Sequence, residues 1–435
     1  MRYLSTRGIA PAASLATALW QGLAPDGGLY MPEALPPCPP AWVARRAGAP
    51  LVDTACGVLA PFVAPEISPA ALGTLLADAL DFPVPLVAID EGVWALELFH
   101  GPTLAFKDVA ARVMARLMRQ LQPQNERPLT VLVATSGDTG SAVADAFARV
   151  PGIRVVILFP AGQVSAMQEA QLTAFEPAIA DRVVSLAVQG TFDDCQQLVK
   201  DAFANVRLRE AVSLTSANSI NIGRLLPQLV SYFHAAAQLP VPHGPAIVST
   251  PSGNFGHLAA GLMAKRLGAP IARFVAATNI NDVVPAYLAT GRYEPRASRA
   301  TIANAMDVGS PSNFERIRAL YRDDVAALRA DVEGSAHQDD EVRAAIGDVF
   351  QRTGYVLDPH SAIGYLGLRP ALAREPGAVG VVMATAHPAK FAEVVEPAIG
   401  RTIEIPERLR ACLERPRRVK ALAVSADALG EILLS

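Results

Sequence analysis

Residues 129 to 149 read LTVLVATSGDTGSAVADAFAR, an apolar run of strand length, then a turn rich in threonine and glycine, then a helical pattern. The same order recurs along the chain beyond about residue 85. Alternating strands and helices are typical of βαβ units, whose helices cover both faces of a parallel sheet, so the strands should be buried and parallel. The sequence therefore predicts an α/β fold, with strands at 129–134, 153–159, 182–188, 246–249, 271–276 and 379–383.

Length and composition favour a multi-domain enzyme that acts on a small molecule. The 435 residues suffice for about two to three domains. The four cysteines are scattered without CxxC pairing, which predicts neither a disulfide framework nor a metal site. A net charge of −3 argues against a nucleic-acid-binding surface. Because no apolar run reaches the roughly 18 residues of a membrane span, and no secretory signal is recognised at residues 1–8, we expect a cytoplasmic protein.

The first 85 residues or so differ from the rest. They carry proline- and glycine-rich turns, such as those at 25–28 and 36–40, between short amphipathic helical stretches. We therefore predict an N-terminal domain at 1–85 and a catalytic region at 86–435.

Lys107 is the first candidate for chemistry. It follows the apolar triplet 104–106, and Asp108 could cap a helix whose apolar face carries Val109, Val113, Leu117 and Leu121. The helix dipole and desolvation both disfavour an ammonium at such a position, which lowers its pKa toward that of an imine-forming amine. The alternative is a surface lysine that begins a helix. Lys390, in a proline-led turn without recognisable apolar enclosure, ranks below it.

Three more loops follow predicted strands, at the edge of the sheet where ligands bind in α/β folds. The TSGDTG loop (135–140) can offer backbone N–H groups to an anion, and the glycines of SGNFGH (252–257) can cradle a phosphate. Thr385 can hydrogen-bond a heteroaromatic nitrogen, whereas the neighbouring His387 is more often structural. Each loop alone could be an ordinary turn. Together with an amine, they are the parts of a site for pyridoxal phosphate (PLP).

Six segments resemble the threonine synthases, specifically the longer type with an extra N-terminal domain. They are GLAPDGGLYMPE (22–33), ELFHGPTLAFKD (97–108), TSGDTG (135–140), SANSINIGRLLPQ (216–228), PSGNFG (251–256) and TAHPAKF (385–391), in the expected order. The resemblance implies PLP fold type II, which is tryptophan-synthase-β-like, with two parallel-type sheet domains, flanking helices and a small N-terminal domain. It also implies a smaller subdomain at about 110–235, inserted in the larger PLP-binding domain.

The resemblance further implies roles for individual residues. Lys107 would be the Schiff-base lysine, Asp138 would lie beside the pyridine O3′, and Thr385 would bond the ring nitrogen. A carboxylate beside the phenolate O3′ must share a proton or face repulsion, and asparagine is commoner there in shorter relatives. The cofactor phosphate would be bound by Gly253, Asn254, Phe255, Gly256 and His257, although His257 stands where asparagine is expected. The substrate would be bound by Thr103, Ser136, Thr139, Asn218, Ser219 and Arg224, with Arg224 the first candidate for the substrate phosphate.

The implied activity is that of a PLP-dependent lyase. It would convert O-phospho-L-homoserine and water to L-threonine and phosphate, with Lys107 as general base. Two alternatives remain at this stage. One is a phospholyase or serine/threonine dehydratase that yields a 2-oxo acid, and the other is a non-catalytic relative that binds a ligand. The sequence leaves open whether the protein is a monomer or a homodimer.

Overall fold

The computed structural model describes residues 1–38, 43, 48–122, 128–135 and 137–435. Ser136 and part of the proline-rich stretch at 36–40 therefore lie outside the described residues. The strands are β1 (Tyr3–Ser5), β2 (Tyr30–Pro32), β3 (Leu86–Asp90), β4 (Val93–Glu97), β5 (Leu129–Ala134), β6 (Ile153–Pro160), β7 (Val183–Val188), β8 (Ser213–Thr215), β9 (Ala246–Pro251), β10 (Arg273–Thr278), β11 (Val332–Ala336), β12 (Val379–Ala384) and β13 (Lys420–Leu422).

The helices up to β9 are α1 (Leu15–Gln21), α2 (Leu51–Val63), α3 (Pro69–Ala79), α4 (Lys107–Gln120), α5 (Asp138–Ala148), α6 (Ala166–Thr173), α7 (Pro177–Ala180), α8 (Phe192–Ala204), α9 (Val206–Ala211), α10 (Ile222–Leu225) and α11 (Leu229–Gln238). Those after β9 are α12 (Gly256–Arg266), α13 (Val283–Thr290), α14 (Phe314–Leu320), α15 (Val325–Asp331), α16 (Asp339–Thr353), α17 (Pro359–Arg374), α18 (Ala392–Ile399), α19 (Glu407–Glu414) and α20 (Ala426–Leu434). Short 3₁₀ turns occur at Leu226–Gln228, Asn304–Met306 and Pro388–Phe391.

Two larger sheets organise the described part of the chain. One has the order β11-β10-β9-β12-β4-β3 and is parallel except for β3, which pairs antiparallel with β4. The other has the order β13-β7-β6-β5-β8 and is parallel throughout. The short strands β1 and β2 form a separate antiparallel pair. The prediction of an α/β fold with parallel strands is therefore confirmed.

One predicted strand starts later than its apolar pattern suggested. The pattern at 271–276 predicted a strand from Ile271, but β10 begins at Arg273. Gly268 has a left-handed φ of 102°, and the Ile271 N–H donates to the Ala269 carbonyl, so the chain is still turning there. The prediction was wrong at this end because apolar residues also fill the turn.

Helices cover both faces of the larger sheet. On β10, Val275 belongs to the buried cluster that contains Ile363 of α17, whereas the adjacent Phe274 belongs to the cluster that contains Leu258 of α12. Successive side chains of a strand point to opposite faces, so this alternation marks a sheet buried on both sides. The polar loops at the carboxyl ends of β5, β9 and β12 are thus left as the open edge, where a ligand can bind.

Candidate active site

Lys107 begins helix α4 and lies against the loop that follows β12. The Phe106 N–H donates to the Thr385 carbonyl at 2.8 Å, and Ala105 pairs with Ala386. The Lys107 side chain is 14% exposed, and its Nζ lies 3.6 Å from Oδ2 of Asp138. Burial lowers the pKa of Lys107, an effect that the Asp138 carboxylate opposes. The position at a helix start agrees with the prediction and suits an amine that must be neutral to react.

Asp108 does not cap this helix, contrary to the sequence prediction. Helix α4 starts two residues earlier than a cap at Asp108 would give, directly after Phe106, and no side chain caps it. The Asp108 carboxylate instead accepts hydrogen bonds from the N–H and the hydroxyl of Thr103, at 2.8 and 2.7 Å. Burial raises the pKa of Asp108 to about 6, which Thr103 partly offsets. The left-handed turn at Leu104, with φ of 58°, folds residue 103 back over the helix start.

Lys390 is fully enclosed, so the expectation that it lacks apolar enclosure is wrong. Its side chain is 0% exposed, and its Nζ lies 2.8 Å from Oδ1 of Asp138. It also donates to the Thr103 carbonyl at 2.9 Å. The enclosure comes from segments far away in the sequence, which the local pattern around 388–391 could not indicate.

Asp138 therefore lies between two lysines at the start of helix α5. Burial alone would raise its pKa, but the ammonium groups of Lys390 and Lys107 lower it well below its usual range. The Gln168 side chain adds a hydrogen bond to Oδ1 at 3.3 Å, and Gln168 in turn accepts one from Asn304 at 3.2 Å. The carboxylate stays ionised across the physiological pH range.

The loop at 252–257 turns from β9 into helix α12. A Cβ atom on Gly253 would lie 2.7 Å from the Ala305 carbonyl oxygen, so only glycine fits there. Phe255 takes a left-handed φ of 60°, and helix α12 starts at the next residue. The first backbone N–H groups of a helix have no partner within it, and the helix dipole favours an anion beside them. This loop meets the requirements of a phosphate cradle.

The side chains of this loop are directed into the protein. Asn254 donates to the Ser219 hydroxyl and accepts from the Ser312 N–H, both at 2.6 Å. The His257 ring lies 5.2 Å from that of Phe106, its Nδ1 is 3.1 Å from the Gln228 side-chain oxygen, and its Nε2 has no partner among the described residues. Burial lowers the pKa of His257 to about 3, so the ring is neutral. The Asn254 side chain is thus engaged by other residues, which leaves its backbone N–H as the group that could meet an anion.

Arg224 is a buried cation near Lys107. It is 3% exposed, donates to the Ala217 carbonyl at 2.8 Å, and keeps a buried Nε without a partner in the described part of the chain. Burial lowers its pKa to about 10, with Asp108 opposing, so it stays charged at neutral pH. Its charge also contributes to the lowered pKa of Lys107. A buried N–H without a partner, on a cation whose charge reaches Lys107, is suited to an anionic group.

The other predicted substrate residues differ in what they can still contact. Thr139 in the first turn of α5 and Asn218 are partly exposed. The Ser219 hydroxyl already accepts from Asn254 and from Asn313. Thr103 is buried, with its hydroxyl bonded to Asp108. Of these, only Thr139 and Asn218 combine exposure with side-chain atoms that no described residue is seen to bond.

Sequence reasoning missed the roles of Gln168 and Asn304 in this site. Gln168 lies on α6 and Asn304 in a short 3₁₀ turn within an irregular stretch, and the two link Asp138 to the segment behind Gly253. Neither lies in a glycine-rich loop at the end of a strand, and no sequence signal identified them. For Lys390, the one usable signal was its rarity as a residue type, since lysine accounts for only five of the 38 Lys and Arg residues.

The residues present fit PLP. A poorly paired amine, a loop that requires glycine at position 253 and a buried cation are grouped around the start of helix α4. Phe106, next to Lys107, bonds to the Thr385 carbonyl and contacts the His257 ring. Arg224, which stays charged and has an Nε–H without a partner among the described residues, supplies positive charge for a phosphate.

Three family models match the chain. The pyridoxal-phosphate dependent enzyme model matches residues 78–385, the threonine synthase N terminus model residues 2–80, and the threonine synthase C-terminal model residues 361–432. The threonine synthase of Escherichia coli is 41% identical over 97% of this chain and 96% of its own length.

Two solved structures are similar over the whole length. A crystal structure of threonine synthase from Escherichia coli covers 100% of this chain and 99% of that chain, with 40% identity and a TM-score of 0.91. A structure of PLP-bound threonine synthase from Brucella melitensis covers the same shares, with 38% identity and a TM-score of 0.93.

These similarities confirm the predicted PLP fold type II, the cofactor PLP and the class of PLP-dependent lyase. They also confirm the resemblance to the longer type of threonine synthase, because the N-terminal model matches as well. Within the described residues, no helix has the length and apolar character needed to cross a membrane. The chain belongs to the threonine synthase family of PLP-dependent enzymes.

Proposed function

We propose that this chain converts O-phospho-L-homoserine and water to L-threonine and phosphate, with its cofactor held on Lys107. The observation that carries the proposal is the grouping of three features around the start of helix α4. They are the loosely paired amine of Lys107, the cradle around Gly253 and the buried cation of Arg224. The Phe106 ring contacts that of His257 in the cradle, and the charge of Arg224 lowers the pKa of Lys107. An amino acid that bears a phosphate needs both an imine-forming amine and a cation for its leaving group.

The cofactor residues follow from these positions. The aldehyde of PLP would bond to Lys107, its phosphate to the backbone of Gly253, Asn254, Phe255, Gly256 and His257, its ring nitrogen to Thr385, and its O3′ side would face Asp138. Bound PLP supplies an electron sink for negative charge that develops on the substrate carbons. A neutral hydroxyl at Thr385 does not force the ring nitrogen to be charged.

The residues of the chain move the protons and hold the leaving group. Lys107 Nζ accepts the proton of the substrate α carbon, and its lowered pKa favours the neutral amine that this step needs. A β proton then leaves and the carbon–oxygen bond breaks, while Arg224 donates to the departing γ phosphate. The γ carbon takes up a proton, water adds at the β carbon, and the α carbon regains its proton. Thr139 and Asn218, with Ser219 and Thr103 as framework, complete the substrate contacts. Ser136, which lies outside the described residues, keeps its proposed role on sequence grounds.

The finer assignments belong to the same proposal. The chain is divided into an N-terminal domain at 1–85 and a catalytic region at 86–435, with a smaller subdomain at about 110–235. Its small-molecule substrate is O-phospho-L-homoserine, and its location is cytoplasmic.

An isotope experiment tests the reaction. Purified protein with PLP and O-phospho-L-homoserine in H₂¹⁸O should release threonine and phosphate in equal amounts. Because water adds at carbon, threonine should carry one ¹⁸O and phosphate none. A 2-oxo acid and ammonia without threonine would instead identify a phospholyase or dehydratase, and labelled phosphate would identify simple phosphate-ester hydrolysis.

A further inference from the structure

Lys390 binds two acceptors, a carboxylate and a backbone carbonyl. Its Nζ lies 2.8 Å from Oδ1 of Asp138 and 2.9 Å from the Thr103 carbonyl. The side chains of Lys390 and Asp138 are 0% and 3% exposed, so both charges are shielded from water. A buried ion pair of this kind is strongly destabilising when one partner is removed.

The second lysine of the cluster cannot serve as a permanent partner for Asp138. Lys107 Nζ is farther away, at 3.6 Å from Oδ2, and the proposed function engages this nitrogen in a bond to the cofactor. Each time the substrate and Lys107 exchange places, the charge near Oδ2 changes. Asp138 would then face the phenolic oxygen of PLP as an uncompensated carboxylate unless another cation stayed in place.

We propose that Lys390 is the permanent counterion of Asp138, a positioning residue that keeps this carboxylate ionised and fixed beside the cofactor while Lys107 changes partners. This inference rests on the proposed function, because it places the cofactor between Lys107 and Asp138. Lys390 acts through Asp138 and needs no contact with the cofactor or the substrate. The positive charge of Lys390 also explains how the Asp138 carboxylate can be tolerated beside a phenolate oxygen.

A double-mutant cycle on the pair tests the proposal. Lys390→Met keeps most of the side-chain volume but leaves a buried carboxylate alone, so the affinity of the apoprotein for PLP should fall by about 100-fold or more. Asp138→Asn removes the charge that needs compensation, and a neutral amide can still donate to the phenolate oxygen. The double variant Lys390→Met/Asp138→Asn should therefore bind PLP within about tenfold of Asp138→Asn alone.

The chain offers a matched control pair. Lys265 donates to Asp331 at 2.6 Å and to the Ala272 carbonyl at 2.5 Å, the same combination of a carboxylate and a backbone carbonyl, at the opposite end of helix α12 from the cradle. Lys265→Met should leave the PLP affinity unchanged within about threefold.

The outcomes separate this inference from the proposed function. If borohydride reduction and peptide mapping of the unmodified protein find no cofactor on Lys107, the proposed function fails. If the cofactor is on Lys107 but Lys390→Met binds PLP normally, or Asp138→Asn gives no rescue, only the counterion role is overturned. Should Lys390→Met alone not fold, the folding and PLP affinity of the double variant, compared with those of Asp138→Asn, decide. Rescue by Asp138→Asn then supports the role, and its absence overturns it.

Discussion

Lys107 and Lys390 have similar settings but different partners. Lys107 begins the 14-residue helix α4 and Lys390 lies in the 3₁₀ turn Pro388–Phe391. Each is next to an apolar residue and lies near one oxygen of Asp138. Lys390 has two acceptors within 2.9 Å, whereas the recorded partner of Lys107 is an oxygen 3.6 Å away. Burial is thus common to both, and the number and closeness of acceptors is what differs.

The difference shows that enclosure alone does not identify a reactive lysine. Two short hydrogen bonds hold the Lys390 side chain in place, whereas Lys107 has one distant acceptor and a pKa that burial lowers. The sequence pattern favoured Lys107 because it predicted apolar enclosure there and none at Lys390. In the structure Lys390 is the more enclosed of the two. Three predictions test the comparison, from the largest effect to the smallest.

Replacing Lys107 should have the largest effect. Lys107→Ala should lower kcat/KM for threonine formation by at least about 10³-fold, because it removes both the covalent link and the general base. Borohydride reduction in the presence of PLP should trap no cofactor on this variant. Cofactor trapped on Lys390 in Lys107→Ala would break the comparison, since it would show that two short acceptors do not prevent imine formation.

Arg224 is an intermediate case, a buried cation with a hydrogen bond from one terminal nitrogen to the Ala217 carbonyl and a buried Nε–H without a partner among the described residues. Arg224→Met should raise KM for O-phospho-L-homoserine by about 10- to 100-fold, the value of one or two charged hydrogen bonds, and leave the PLP affinity nearly unchanged. Steady-state kinetics and PLP titration measure the two effects. The exposed Arg266, which stacks on Tyr321 at the far end of α12, provides the control variant Arg266→Met. A loss of PLP binding without a change in KM would assign Arg224 to the cofactor instead.

His257 is the opposite case, a buried base without an acidic partner. Its pKa in the folded protein is lowered by burial to about 3 from an ordinary value of 6.5, so unfolding takes up a proton between these two values. The contribution of the neutral ring to stability is present above pH 6.5 and is lost as the pH falls toward 3. The variant His257→Asn has no titrating group at this position. As the pH is lowered, its free energy of unfolding should therefore decrease less steeply than that of the unmodified protein, by up to about 1.4 kcal/mol per pH unit. Denaturant titrations of the two apoproteins at pH 4 to 7 measure the slopes, and equal slopes would contradict the neutral assignment.

The sequence alone determined which segments carry the chemistry. Apolar runs bounded by glycine and threonine gave β5, β9 and β12 nearly to the residue, because buried parallel strands are continuous apolar runs. The loops after them followed from the rule that strand ends bind ligands, and Lys107 at the start of α4 followed from the apolar triplet and the helical pattern on either side of it. Less apolar strands such as β11 and β13 were not anticipated, because their partly exposed sequences lack that contrast.

Only the tertiary structure decided how these segments share charge. Lys390, Asp138 and Thr103 come from three distant parts of the chain, and their contacts depend on how two sheets and the turn at Leu104 pack together. Local patterns report the period and the polarity of neighbouring residues, and they carry no information on which distant acceptors a side chain will meet. Whether a buried lysine is a fixed cation or a reactive amine depends on those acceptors, and for this reason the sequence could name both lysines but could not tell their environments apart.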